Sequence, residues 1–112
     1  MGKLEKYQEI VKQILSKQAE YEPSNMDLET ILILDDDCAN YQIMYVGWHN
    51  SRRTHGALIH VRVKEDGKIW IEYDGTEDGF ASHLLEAGIP EEEIVLAFHA
   101  PWKRQYTGFA VD

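Results

Sequence analysis

Between residues 3 and 20, Leu4, Tyr7, Val11, Ile14 and Leu15, with Gln18 or Ala19 beyond them, recur at helical spacing among Lys, Glu and Gln. One apolar stripe at that period predicts an amphipathic helix that buries a single face. Pro23, Ser24 and Asn25 then break the pattern, as turn-forming residues do. Leu28 to Leu34 is a short apolar, β-branched run closed by Asp35, Asp36 and Asp37, and Tyr41 to Trp48 is a second such run. Together they predict two strands joined as a hairpin. Ile31 to Leu34 is apolar at every position, so both faces of this hairpin are expected to be covered. The first helix covers one of them. The other needs the second helix or another subunit.

The next hairpin is predicted down to its register. A two-residue turn at Asp66 and Gly67 would oppose Val63 to Trp70, Val61 to Glu72 and Ile59 to Asp74, scattering apolar and acidic side chains over one face. A three-residue loop of Glu65, Asp66 and Gly67, with Gly67 in the left-handed position of a bulge, pairs Val63 with Ile69, Val61 with Ile71 and Ile59 with Tyr73. The core face is then wholly apolar. The opposite face pairs Arg62 with Trp70 and His60 with Glu72, contacts worth ~0.2 to 1 kcal/mol each. Downstream, Asp74, Gly75 and Thr76 predict a turn in which Thr76 caps a helix running to Ala87, with Glu77 and Asp78 at its electropositive start. Gly88, Ile89 and Pro90 predict a Schellman-type end followed by an acidic turn at Glu91 to Glu93. Ile94 to Phe98 reads as the last strand. The segment from Pro101, with Trp102, Tyr106 and Phe109, is too aromatic for a loose tail and is expected to dock. The pattern as a whole predicts an α+β domain, an antiparallel sheet of about five strands with both helices packed on it.

Composition sets the outer bounds. With 112 residues, 44% of them hydrophobic, residues 1–112 form one domain with one core. Twenty acidic against 11 basic residues give a net charge of −9, a field that opposes unaided binding to the phosphate backbone. The lone Cys38 has no intrachain partner and suits a reducing compartment. Neither a secretory h-region nor a run long enough to span a bilayer is present, so a cytoplasmic protein with no membrane role is expected.

The stretch VGWHNSRRTHGALIHVRV, residues 46 to 63, holds His49, His55 and His60 with Arg52 and Arg53. As metal ligands these histidines are unpromising. His55 and His60 are five apart, which in one regular strand points them to opposite faces, and no CxxC or HExxH pattern completes a site. Asp35, Asp36 and Asp37 lack the alternate spacing of an EF-hand loop. Cys38 lies among acidic residues that raise a thiol pKa, so an inert cysteine is expected. YDGT at 73 to 76 is similar to the DxDGT motif of haloacid-dehalogenase-type phosphatases, but Glu72 stands where the nucleophilic Asp belongs, in a chain too short for that fold. No catalytic set, metal or cofactor is expected. The basic pairs Arg52 with Arg53, on a loop expected from Trp48 to His55, and Lys103 with Arg104 remain as binders of carboxylate or phosphate. The nearest intramolecular acceptors for the first pair would be Asp74, Glu77 and Asp78.

The order VGWHNSRRTHGALIHV, GKIWIEYDGTEDG, LLEAGIPEEEIVLAF and PWKRQYTGFAVD, after an opening KLEKYQEIVKQIL, resembles the XisI-like family, the fdxN element excision controlling factor proteins, over essentially the whole chain. Gly47, Trp48, Arg53, His55, Gly56, His60, Asp74, Gly75, Thr76 and Glu77 match the family's pattern, whereas Phe80 stands where a smaller aliphatic residue is expected. The resemblance implies regulated, site-specific excision of a bacterial DNA element, beside a recombinase and a second small protein, XisH, without supplying the recombinase chemistry. Two functional classes follow. One is a non-enzymatic accessory factor acting by contact with an XisH-like protein or recombinase complex, as a homo-oligomer, most simply a two-fold dimer. The other is a DNA-contacting directionality factor using Arg52, Arg53, Lys103 and Arg104. A third, an enzyme, rests only on a grouping of His55, Asp74 and Glu77.

Overall fold

Helix α1, Lys3–Tyr21, carries Tyr7, Val11 and Leu15 at helical spacing, and all three are buried. Leu4, Ile10, Ile14 and Ala19 pack partly against the same core, so the predicted stripe is the face that docks. This computed structural model describes residues 2–21 and 28–112, and the predicted break at Pro23 to Asn25 lies outside them. Four antiparallel strands follow: β1 (Leu28–Asp35), β2 (Asn40–His49), β3 (Arg52–Val63) and β4 (Ile69–Asp74). Then come α2 (Phe80–Glu86), a 3-10 turn at Glu91–Glu93, β5 (Ile94–Leu96) and a second 3-10 segment at Pro101–Tyr106. The sheet runs in the order β1-β2-β3-β4-β5. Its inner face contributes Tyr41, Ile43, Ile59, Val61, Ile69 and Ile71 to a single buried cluster with α1, and α2 adds Phe80 and Leu84 to that cluster. Both helices therefore cover the same face. Of the two covers expected for the other side of the β1–β2 hairpin, the second helix or another subunit, α2 does not supply one.

The β3–β4 loop forms as predicted. Val63 faces Ile69, Val61 faces Ile71 and Arg62 faces Trp70, while Gly67 holds a positive φ of 89° and donates its N–H to the Lys64 carbonyl. Beyond Val61 the register slips, so His60 faces Tyr73 and Ile59 faces Asp74. The predicted pairs Ile59–Tyr73 and His60–Glu72 are thus replaced. A second bulge sits in β3 opposite β2, where Ile43 faces Ile59 but Met44 faces Ala57. The carbonyl of the extra residue, Leu58, accepts the Gly75 N–H at 2.7 Å, which ties this bulge to the turn after β4. A bulge reverses strand parity. His60 lies opposite Gln42 and His55 opposite Val46, four positions apart on β2. The two histidines thus share a face, contrary to the parity expectation, though about 13 Å apart along the strand.

Helix α2 begins at Phe80, three residues later than predicted, because Asp74 and not Thr76 satisfies its start. Asp74 Oδ2 accepts the Phe80 N–H at 2.6 Å, and Oδ1 accepts the Thr76 N–H and hydroxyl. Phe80 is buried, so the larger side chain fills the core. The helix end matches prediction: Gly88 has φ 93°, its N–H reaches the Leu85 carbonyl, and the Ile89 N–H reaches Leu84, the paired bonds of a Schellman motif. β5 ends at Leu96 rather than Phe98 and lies parallel to β4. The α2 crossover returns the chain to the end where β4 began, which a hairpin cannot do.

Candidate functional site

The segment predicted as a loop from Trp48 to His55 is the end of a two-stranded ribbon. Asn50 and Ser51 alone form the turn, with φ of 48° and 66°, while His49 faces Arg52 and Trp48 faces Arg53. Positive φ at both central residues is the type I′ geometry, which matches the twist of the strands it joins. The signal was present in Asn50, which tolerates that conformation better than most residues. At this tip Trp48 is 57% exposed, and the Arg53 guanidinium lies 5.7 Å from its ring centre. Arg52, Arg53 and His55 are exposed. Among the described residues Arg52 and Arg53 form no ion pair. They do not reach the acidic turn after β4: Asp74 is occupied by Thr76 and Phe80, Asp78 accepts from His83 at 2.8 Å, and Glu77 is exposed.

His60 is half-buried and its Nε2 lies 2.6 Å from Asn40 Oδ1, so it is a structural histidine joining β3 to β2. Arg62 bridges to Glu72 at 3.2 Å instead of stacking on Trp70. Trp70 has Lys64 Nζ 3.6 Å and Arg104 Cζ 5.3 Å from its ring centre. The basic pair at 103 and 104 divides. Arg104 donates to the carbonyls of His99, Ala97 and Val111 at 3.1, 3.2 and 3.4 Å, pinning the docked tail. Lys103 stays exposed beside Trp102. The tail docks through Ala110, which bridges to Val95, and through Phe109, yet leaves Trp102 65% and Tyr106 78% exposed. Pattern reading did not separate these outward aromatics from the inward one.

The grouping of His55, Asp74 and Glu77 does not form; no hydrogen bond joins any two of them. Among the described residues no three His, Cys, Asp or Glu side chains gather as metal ligands, and no helix is long and apolar enough to cross a membrane. A hydrogen bond to Asp35 and that carboxylate's charge push the Cys38 thiol pKa up, as its acidic surroundings predicted.

What the sheet does present is its outer face. By alternation from buried Tyr41 and Ile43, the outward positions of β2 include Gln42, Met44 and Val46, faced by Ile33, Ile31 and Glu29 of β1. Tyr73, opposite His60, is 51% exposed. The Pro101–Tyr106 segment and Ala110 lie toward β5, at the far side of the sheet.

The chain matches the XisI protein family over residues 1–111. No curated protein shows a significant match. Two XisI-type proteins are among the solved structures that share its fold. A XisI-like protein from Anabaena variabilis ATCC 29413 is 43% identical with a TM-score of 0.91, over 97% of this chain and 99% of that one. The fdxN element excision controlling factor XisI from the same organism is 33% identical with a TM-score of 0.88, over 99% of this chain and 100% of that one. Motif order, fold and near-complete coverage agree, and the chain belongs to the XisI family.

Proposed function

We propose that the chain is a non-enzymatic accessory factor in the controlled excision of a DNA element, working in the cytoplasm through contact with an XisH-like protein or recombinase complex. Family membership and the relative named as an excision controlling factor support the role. The observation that carries the mode of action is the outer face of β1–β3. Ile31, Ile33, Met44 and Val46 form an apolar strip there, beside the exposed guanidinium of Arg53 on β3, in a chain of net charge −9. Apolar area edged by an exposed cation is complementary to a partner surface that is apolar and acidic. The reading that the chain itself grips DNA loses Arg104, whose guanidinium is committed to three carbonyls.

The test is co-expression of the tagged chain with its XisH-like partner. Wild type retains the partner through purification, whereas Met44→Glu, opposite Ile31 at the middle of the strip, releases it while the circular dichroism spectrum is kept, because a charge there desolvates badly on docking. Capture that Met44→Glu leaves intact, or no capture by wild type, contradicts the proposal.

A further inference from the structure

Among the described residues β1 borders β2 on one side and no strand on the other. The opposite edge, β5, is three residues long and is backed by the Ala110 bridge. Exposed edges in natural proteins are kept short, bulged, or marked by Lys or Pro, because a long flat one is a template for another strand. β1 is eight residues long, keeps an unbroken register with β2, and contains no Lys, Arg or Pro. Its sequence, LETILILD, is an edge without those protections.

We infer that β1 pairs with β1 of a second copy about a two-fold axis, and that each copy's Arg52–Arg53 tip faces the other's Asp35–Asp37 turn. Antiparallel partners directly opposite each other point to the same face. A two-fold axis normal to the sheet preserves this when centred on a residue. Centred on Ile31, it opposes Leu28 to Leu34, Thr30 to Leu32 and Ile31 to itself, with Glu29 facing Ile33. Centred one residue later, it would set Glu29 against Asp35, a like-charge pair. The first register is therefore preferred.

Charge complementarity points to a second copy rather than an unrelated chain. Antiparallel pairing brings the start of one β1, where β2 runs past Gly47 into the basic tip, beside the end of the other, which opens the acidic turn. The Arg53 guanidinium leans over Trp48 of β2. That places its charge about two strand spacings, ~10 Å, from the partner strand, or about one Debye length at physiological salt. Asp37 is exposed and, like Arg52 and Arg53, in no ion pair among the described residues. The second copy supplies the carboxylates that the tip lacks, twice over by symmetry, and the interface closes on itself. None of this depends on the excision role: oligomeric state and partner capture are read separately.

Sedimentation equilibrium of the full chain from about 1 to 100 μM measures the dissociation constant. Wild type is expected to be a dimer in this range. Arg52→Glu with Arg53→Glu weakens it by about tenfold, as expected for reversed exposed pairs at two symmetric ends. Adding Asp37→Arg restores it. Ile31→Lys, at the two-fold axis, weakens association with the thermal transition retained. A monomer throughout the range overturns the inference, as does a dimer indifferent to the double reversal or one that Asp37→Arg fails to restore.

Discussion

Arg104 and Lys103 are adjacent and carry the same charge, yet the fold uses them differently. The Arg104 guanidinium is half-buried, spreads its donors over the carbonyls of His99, Ala97 and Val111, and stacks by Trp70. Hydrogen bonds from charged donors contribute more than neutral ones, and truncation leaves the acceptors unmet. Arg104→Ala is expected to lower stability by about 2 kcal/mol in urea denaturation, with Arg104→Lys recovering less than half because an ammonium lacks the planar fork. Lys103→Ala is expected to change stability by less than about 0.5 kcal/mol. Equal losses at the two positions would contradict the assignment. Sequence reading offered both members of this pair alike as binders of carboxylate or phosphate. Which of two neighbouring cations turns inward depends on where the 3-10 segment Pro101–Tyr106 aims each side chain, and no period in the sequence encodes that. The same applies to Asp74 and Thr76: both residue types cap helices, and the backbone path of the turn assigns the bond to Asp74.

Among the elements, those written in a continuous period were legible. α1, the apolar β3–β4 ladder near its turn and the Gly88 helix end each follow from residue type and spacing. The bulges at Leu58 and beyond Val61 were not legible, because each is set by a distant bond or register, such as the Leu58 carbonyl accepting from Gly75. Hence His55 and His60, expected on opposite faces, share one, while the expected Trp48–His55 loop closes as strand around the two-residue turn at Asn50 and Ser51. α1 is also latched to the sheet by a polar cluster at the β1–β2 turn. Asp36 Oδ2 meets Lys12 at 2.9 Å, Asp36 Oδ1 accepts from the Tyr41 hydroxyl at 2.8 Å, and Gln8 donates to Tyr41 and to the Asp36 carbonyl. The Lys12 hydrogen bond, then that of Tyr41, holds Asp36 below its ordinary 3.8, while burial and Asp36 push Tyr41 up to about 12. A carboxylate depressed in the folded state stabilises it above the unfolded value, and that contribution is lost as pH falls through the folded one. Melting temperature is therefore expected to fall more steeply below pH 3.8 in wild type than in Asp36→Asn. Parallel acid limbs in the two proteins would show that the latch adds nothing.

At the scale of the molecule, the charge balance and the layering together limit what the chain does by itself. Helices on one side leave the outer face of β1–β3 and the long β1 edge without a covering element among the described residues, and the net charge of −9 opposes the phosphate backbone. Composition made the acidity legible. The distribution of the few cations, with Arg52 and Arg53 at the tip and Arg104 folded inward, required the fold. The central claim, that the chain works through protein contact and not by gripping DNA, is tested most directly by titrating the purified chain alone with duplex DNA from low to physiological salt. The expected result is no salt-sensitive binding at micromolar protein. Micromolar affinity that falls steeply between about 50 and 200 mM salt would contradict it, since such a slope counts phosphates neutralised by the chain's own cations.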